Sequence, residues 1–354
     1  MDADKKITTL AEIGEFALID RLTKDVNIQN KSTIKGVGDD AAILDYKDKQ
    51  LVITTDMLME GIHFSLVYAP LKHLGYKAAV VNFSDVYAMN AHPKQLIVSL
   101  AISSKFSVEA VEEIYEGIKL ACNKYQADLI GGDTTSSLTG LALSLTAIGE
   151  TKKGQTAFRN TAKKNDLICV SGNLGAAYVG LQLLEREKKV FAESNVQPDF
   201  SGYEYILERQ LKPEARKDVV EALQKDGIKP TSMIDVSDGL SSELFHICTQ
   251  SGVGCRIYSE KIPIHTQTAK MADEFNMDPL VCALNGGEDY ELLFTVPVKQ
   301  FEKIDKVEDV SIIGHITDKT EGLKLQTASD HLVDLKAQGW TSFADHQEEN
   351  ADSK

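Results

Sequence analysis

Acidic residues placed beside glycine or hydroxyl residues recur along this chain at the ends of apolar runs. Asp235 and Asp238 flank Ser237 in one case, directly after an apolar run that ends at Ile234. Five further stretches share the pattern; they are residues 36–41 (GVGDDA), 54–56 (TTD), 82–85 (NFSD), 131–135 (GGDTT) and 286–291 (GGEDYE). A single stretch of this kind is ordinarily a turn or a helix cap. Six together predict one acidic centre assembled from loop ends.

The residue types in these stretches indicate the chemistry of that centre. Carboxylate, hydroxyl and carbonyl oxygens are the ligands that Mg²⁺ prefers. Magnesium beside glycine-rich backbone indicates nucleotide phosphates. The chain has no GxxxxGK[ST] sequence, so it is not a P-loop enzyme, and the turn at residues 172–175 has too few glycines for a dinucleotide-binding motif.

Charge and cysteine content narrow the choice of partners and compartment. The formal net charge of −15 argues against nucleic acid and anionic membranes, because both need a basic surface. The five cysteines are scattered and form neither a CxxC pair nor a zinc-like spacing. Residues 1–6 (MDADKK) are not expected to form a signal peptide. No apolar run approaches the roughly 18 residues that span a membrane. We therefore expect a cytoplasmic protein.

The elements that position the acidic stretches alternate between strands and helices. The spacing predicts a helix over residues 71–91, on which Asp85 is the only acid, and a second helix capped by Ser107. Short strands over residues 41–46 and 51–56 are expected to form a hairpin. That hairpin would bring the acidic turn before its first strand close to Asp56.

The length of 354 residues favours two domains. We expect an α+β, or mixed α/β, fold with an N-terminal mixed sheet and helices over residues 1–150. A C-terminal α/β sandwich is expected over residues 151–342, after a polar linker that begins at residue 151. Residues 343–354 are expected to be a disordered tail, and the polar segment 185–205 an exposed excursion.

Two residues outside the acidic stretches have both an ordinary and a functional interpretation. His63 is either a partly buried loop histidine or a contact for an anionic substrate group, because it lies near Asp56 and Glu60. Arg159 is either a surface residue or a phosphate clamp in the loop that joins the domains.

The ordered set of motifs resembles the thiamine-monophosphate kinase family, within the superfamily of aminoimidazole ribonucleotide synthetase-like ATP enzymes. The resemblance runs from Gly14 to Trp340. It is carried by residues 36–42 (GVGDDAA), 54–56 (TTD), 60–64 (EGIHF), 82–85 (NFSD), 129–135 (LIGGDTT), 234–240 (IDVSDGL) and 286–292 (GGEDYEL). Phe83 and Tyr87 depart from the family pattern, because they are bulkier than the residues expected there.

The resemblance implies ATP-dependent phosphorylation of thiamine monophosphate to thiamine diphosphate, the final step of thiamine diphosphate biosynthesis. It implies direct in-line transfer assisted by several Mg²⁺ ions, with no covalent nucleophile, and a homodimer that pairs through its N-terminal sheets, with ATP in the cleft between the domains. The implied metal ligands are Asp40, Thr54, Thr55, Asp56, Asp85, Asp133, Asp235 and Asp238. The implied ATP contacts are Tyr115, Gly132, Asp133, Arg159 and Ser237, and the implied substrate contacts are His63, Glu288 and Trp340.

The residues agree with this chemistry. An acceptor that is already a phosphate is anionic at neutral pH and needs little deprotonation, so the difficulty is to hold two polyanions together. Two unit charges 4 Å apart repel by about 4 kcal/mol at an effective dielectric near 20, and magnesium ions between carboxylates remove that barrier. Trp340, the only tryptophan, is either an edge-packing aromatic or a platform that stacks on a cationic ring.

Two alternatives stay open from the residues. One is a sister enzyme: aminoimidazole ribonucleotide synthetase, selenophosphate synthetase or the hydrogenase-maturation dehydratase. The last two use cysteine near a terminus, but this chain has none before Cys122 or after Cys282. The other is a non-catalytic module that binds a divalent ion or Mg-ATP without turnover. A degenerate module would have lost an acid, yet every expected acid is present.

Overall fold

The computed structural model describes residues 18, 21–35, 43–44 and 48–337 of the chain. Asp40, Trp340 and the tail over residues 343–354 therefore lie outside the described residues. Across the described part, every helix is too short or too polar to cross a membrane.

The N-terminal half is built on a four-stranded sheet. A small sheet pairs β1 (Thr33–Lys35) with β2 (Ile43–Leu44). The larger sheet contains β3 (Lys49–Met59), β4 (His92–Ile102), β5 (Asp128–Ser136) and β6 (Ala142–Lys152), in the order β3–β6–β4–β5. Two helices, α1 (Leu71–Ala88) and α2 (Val108–Tyr125), bury one face of this sheet. As predicted, Ser107 caps α2, because its Oγ accepts from the backbone N–H of Ala110 at 3.2 Å.

The expected hairpin between residues 41–46 and 51–56 is wrong. β2 pairs with β1, whereas β3 pairs antiparallel with β6 from Lys49 opposite Lys152 to Met59 opposite Ala142. β6 has 11 residues, as β3 does, so it can hydrogen-bond to the backbone of β3 along the whole strand. The two-residue strand β2 is too short to do so.

Helices α1 and α2 approach closely because glycines lie where they cross. A Cβ added to Gly75 or Gly117 would lie 1.9 Å from a backbone oxygen of the other helix, so any larger residue would push the helices apart. Phe83 and Tyr87 fit nearby, where both are fully buried and their rings lie 5.4 and 6.0 Å from the Tyr125 ring.

The C-terminal half is built on a seven-stranded sheet with helices around it. Its strands are β7 (Asp166–Ser171), β8 (Ser232–Asp235), β9 (Gly254–Tyr258), β10 (Leu292–Pro297), β11 (Val310–Thr317), β12 (Leu323–Gln326) and β13 (Leu332–Asp334), in the order β13–β12–β9–β11–β7–β10–β8. Its helices are α3 (Ala176–Ser194), α4 (Glu204–Leu211), α5 (Lys217–Lys225), α6 (Leu240–Ser251), α7 (Thr266–Glu274), α8 (Pro279–Asn285) and α9 (Phe301–Ile304). The segment 185–205, expected to be an exposed excursion, is largely exposed, and it is helical up to Ser194.

Glu214 joins the two halves of the molecule. Its Oε2 accepts from the hydroxyls of Tyr76 on α1 and Tyr125 on α2, at 2.6 Å each. Lys124 Nζ lies 2.7 Å from Oε1 of the same carboxylate. Three side chains of the N-terminal half thus converge on one acid of the C-terminal half, and they hold the cleft between the halves in a defined shape.

Candidate active site

A cavity of about 140 Å³ opens where the two halves meet. It lies between β3, α1, the end of β8 and the loop before β10. Its lining residues are Asp56, Met57, Leu58, His63, Val81, Asp85, Asp235, Ser237, Glu288 and Tyr290. Four of the six acidic stretches found in the sequence contribute to this lining, so the fold brings them together.

Hydroxyl groups orient two of the aspartates in the cavity. Thr54 Oγ1 donates to Asp85 Oδ2 at 2.6 Å, which ties β3 to α1. Ser84 Oγ donates to Asp235 Oδ2 at 2.6 Å, which ties α1 to β8. In each bond the hydroxyl contacts only one of the two carboxylate oxygens. Asp85 comes from the N-terminal half of the molecule and Asp235 from the C-terminal half.

A third aspartate comes from β3. The backbone N–H of Asp56 donates to Asn82 Oδ1 at 3.1 Å, and Asn82 Nδ2 donates to the Ala78 carbonyl at 3.0 Å. Because Asn82 is fully buried in α1, it fixes the strand and hence the Asp56 carboxylate against the helix.

Burial and mutual repulsion destabilise the charged forms of these three aspartates. Burial, and after it the charge of Asp85, raises the pKa of Asp56 to about 7. Burial raises the pKa of Asp85. Burial, followed by the charges of Asp85, Glu243 and Asp56, raises the pKa of Asp235 well above its usual range. A cation between the carboxylates would relieve this repulsion, and their oxygen ligands fit Mg²⁺.

The described residues do not form a complete metal cage. No three acidic, histidine or cysteine side chains among them are arranged to hold a metal ion. Magnesium is usually bound through one or two carboxylates together with waters and substrate phosphates.

Ser237 and Asp238 occupy the turn between β8 and α6. Gly239 has a φ of 115°, a conformation that side chains larger than glycine rarely adopt. Glu243 reaches back from the first turn of α6, and its Oε1 accepts from the backbone N–H of Asp238 at 3.1 Å and from Ser237 Oγ at 3.4 Å. Glu243 was not predicted from the sequence, although an acid near the start of a helix is a recognisable capping signal.

Arg159 is exposed, and its main chain is anchored. Ser232 Oγ donates to the carbonyls of Phe158 and Arg159 at 2.9 and 2.8 Å. Within the described part of the chain its guanidinium forms no ion pair, yet its positive charge acts on both Asp85 and Asp238. A guanidinium whose charge acts on these two aspartates suits an anionic ligand that binds beside them.

His63 and Glu288 line the same cavity beside the aspartates. His63 Nδ1 accepts from the backbone N–H of Met59 at 3.0 Å. Burial lowers the pKa of His63, which favours the neutral form of its ring. Lys77 Nζ lies 3.0 Å from Glu288 Oε1, and Gln210 Nε2 donates to Oε2 at 2.7 Å. Neither Lys77 nor Gln210 was predicted from the sequence. A lysine within an apolar helix could have indicated Lys77.

Three residues implied as ATP or metal contacts, Tyr115, Gly132 and Asp133, are not among the residues that line this cavity. Gly132 and Asp133 are exposed on β5, at the opposite edge of the sheet from β3. Tyr115 on α2 is buried and hydrogen-bonded to Thr134 of the same strand, and burial raises its pKa to about 12. Three strand spacings of about 4.8 Å separate β5 from β3, so one chain does not bring this group to Asp56.

Thr55 also differs from its neighbours in position. Side chains alternate along a strand, so Thr54 and Asp56 face α1 while Thr55 faces the other side of the sheet. Its Oγ1 donates to the Leu145 carbonyl at 2.9 Å. The side chain of Thr55 therefore does not line the cavity.

The chain is similar to proteins of one kind over nearly its whole length. The family model for the AIR synthase related protein, N-terminal domain, matches residues 38–151, and that for the C-terminal domain matches residues 163–325. The thiamine-monophosphate kinase of Bacillus subtilis is 35% identical over 338 residues, which cover 94% of this chain and 100% of that protein.

Two solved structures agree with this match. The crystal structure of thiamine-monophosphate kinase from Stenotrophomonas maltophilia K279a has a TM-score of 0.76 and 32% identity, and covers 90% of this chain and 98% of its own. AaThiL complexed with AMPPCP and TMP has a TM-score of 0.73 and 33% identity, and covers 97% of this chain and 100% of its own.

Proposed function

The chain belongs to the thiamine-monophosphate kinase family, and we propose that it transfers the γ-phosphoryl group of ATP directly to thiamine monophosphate. The observation that carries the proposal is the convergence of Asp56, Asp85 and Asp235 in one interdomain cavity. The related structure with AMPPCP and TMP bound supports the two substrates. We assign residues 1–150 to an N-terminal domain that binds ATP and magnesium, and residues 151–342 to a domain that completes the site.

Magnesium fits this cavity through its oxygen ligands. We propose that the ions are held by Asp56, Asp85, Asp235 and Asp238 with the Thr54 hydroxyl, and that Asp40 adds a further carboxylate. Bound magnesium would neutralise phosphate charge and so permit two polyanions to approach each other. The raised pKa values of Asp56 and Asp235 support this assignment, because their charged forms need a neighbouring cation.

The protein side chains align the two substrates. Arg159 and the turn at Ser237 would grip the ATP phosphates from the C-terminal domain. His63 and Glu288 would contact thiamine monophosphate, and Trp340 would stack on its cationic ring. The acceptor phosphate is anionic at neutral pH, so an oxygen of that group attacks in line without a general base and without a covalent enzyme intermediate.

The test of this function is a product assay. Purified protein is incubated with Mg-ATP and thiamine monophosphate, and thiamine diphosphate and ADP are followed by chromatography, with free thiamine as a parallel acceptor. We expect equal amounts of both products from the monophosphate, none from thiamine, and loss of turnover when EDTA removes magnesium. Binding of Mg-ATP without thiamine diphosphate formation would refute the proposal and favour a sister activity or a binding module.

We also propose that the protein is a homodimer that pairs through its N-terminal sheets. The uncovered face of β3 carries Leu51, Ile53, Met57 and Met59, which are 44, 64, 56 and 36% exposed. Within the described residues, β3 and β5 are edge strands with one neighbour each. Edge strands with apolar faces are covered by pairing in stable proteins. A second copy would bring Gly132 and Asp133 of one chain near Asp56 of the other.

Ile53→Asp is expected to convert the dimer to a monomer and to abolish activity, because it places a charge in the proposed apolar interface. Light scattering measures the mass, and the product assay measures turnover. The control Val196→Asp changes a residue that is 61% exposed outside the N-terminal sheet, and it should stay dimeric and active. A dimeric, active Ile53→Asp protein would contradict this interface.

A further inference from the structure

Lys77 is a cation enclosed between the two halves of the molecule. It lies on α1, four residues before Val81 and eight before Asp85, so it belongs to the helix face that lines the cavity. Its side chain is 6% exposed. Lysine is almost never buried to this extent unless it is paired, so the identity of its partners indicates what it does.

Both polar partners of Lys77 belong to the C-terminal half. Its Nζ lies 3.0 Å from Glu288 Oε1 and donates to the Gln210 carbonyl at 3.0 Å. Gln210 Nε2 donates to Glu288 Oε2 at 2.7 Å. Each oxygen of the Glu288 carboxylate is therefore held by a different residue, which fixes the plane and direction of the group.

The backbone conformation of Glu288 also needs support from surrounding contacts. Its φ is 65°, an uncommon conformation for a residue other than glycine. Residues in such conformations persist where surrounding contacts impose them, and they cluster at functional sites. Lys77 and Gln210 provide those contacts on the side chain, and the backbone N–H of Glu288 donates to the Ser237 carbonyl at 2.7 Å.

We propose that Lys77 is a positioning residue that holds the Glu288 carboxylate in place for the acceptor. This inference rests on the proposed function, because thiamine monophosphate carries a positively charged ring that a fixed carboxylate recognises. Lys77 itself touches neither substrate. Lys77 comes from the N-terminal half and Glu288 from the C-terminal half. The side of the cavity that would contact thiamine monophosphate is therefore complete only while the two halves stay packed together.

Lys77→Met tests the proposal, since methionine keeps the length of the side chain and removes the charge. We expect the KM for thiamine monophosphate to rise at least about tenfold, because Glu288 loses a charge-assisted contact. The KM for ATP should stay within about twofold of the wild-type value. Lys72→Met is the matched control on the same helix: Lys72 is half exposed and pairs with Glu116 at 3.1 Å, so its KM values should not change.

A double-mutant cycle separates positioning from simple packing. If Lys77 acts through Glu288, Lys77→Met combined with Glu288→Gln should raise the acceptor KM no more than about twofold above Glu288→Gln alone. Effects that multiply would show that Lys77 acts independently of Glu288 and would overturn the proposal. A lowered melting temperature with an unchanged acceptor KM would mean a purely structural ion pair, and it would overturn the proposal as well.

Gln210→Met covers the case in which Lys77→Met does not fold. Gln210 Oε1 has no hydrogen-bond partner in the described part of the chain, so this change removes only the bond to Glu288 and keeps the carbonyl that Lys77 uses. An increased acceptor KM is expected, and an unchanged KM would overturn the inference. The wild-type protein tests the function separately: if it makes no thiamine diphosphate, the proposed function fails, whereas an active wild type with unaffected variants refutes the positioning role alone.

Discussion

Asp235→Asn is expected to lower turnover by at least about 1,000-fold while the protein stays folded. Asp235 is buried between Asp85, Asp56 and Glu243, whose charges repel its own. The substitution keeps the shape and an oxygen that can accept from Ser84, but it removes the charge that would face a metal ion. The melting temperature of the metal-free protein should therefore not fall, since a source of repulsion has been removed.

Asp128→Asn is the control for this experiment. Asp128 is equally buried, but it accepts from the backbone N–H groups of Gln29 and Asn30 and from the Thr33 hydroxyl, the last at 3.0 Å. Its charge is used for structure, so the amide should lower the melting temperature and leave turnover per folded molecule unchanged. Wild-type turnover of Asp235→Asn at saturating magnesium would exclude Asp235 from the metal site.

Arg159→Met is expected to lower kcat/KM for ATP by about 100-fold with an unchanged melting temperature. The guanidinium is exposed and forms no ion pair within the described residues, so its removal costs little stability. Its charge acts on Asp85 and Asp238. An ATP phosphate bound beside these carboxylates would be the ionic partner of the guanidinium. Steady-state kinetics with varied ATP and thermal melting measure the two effects.

Arg186→Met provides the comparison for Arg159. Arg186 lies on α3, pairs with Glu187 at 2.7 Å and stacks over the Phe275 ring at 5.0 Å, away from the cavity. Its loss should cost some stability without any change in kinetics. If Arg159→Met raised only the KM for thiamine monophosphate, Arg159 would belong to the acceptor side and its assignment to ATP would be wrong.

Much of the site could be predicted because its motifs are local. The strand that ends at Asp235, the turn at Ser237 and Asp238, and the helix capped by Ser107 each follow from a few adjacent residues. The role of α1 could be predicted only in part. Asp85 stands out in the sequence as an acid in an apolar helix. Its neighbours Asn82 and Ser84 act through partners in β3 and β8, and no local pattern reveals those partners.

Other features depend on which strands become neighbours. Alternation along β3 separates the side chain of Thr55 from those of Thr54 and Asp56, but only the strand order shows that Asp133 lies at the far edge of the sheet. Glu288 is visible in the sequence as part of a glycine-rich acidic motif, whereas its contacts with Lys77 and Gln210 join residues that are far apart in the chain.

The sequence by itself determined the chemistry of this protein: many carboxylates beside glycines and hydroxyls, an acidic net charge, and a set of motifs in one family's order. These properties belong to residue types and short spacings, so they can be read without the fold. Only the tertiary structure decided that β3 pairs with β6, that α1 carries Lys77 and Asp85 on one face of the cleft, and that buried aspartates from both halves repel one another. Strand pairing and burial depend on long-range packing, where many partners satisfy the same local pattern and the total packing energy selects one of them.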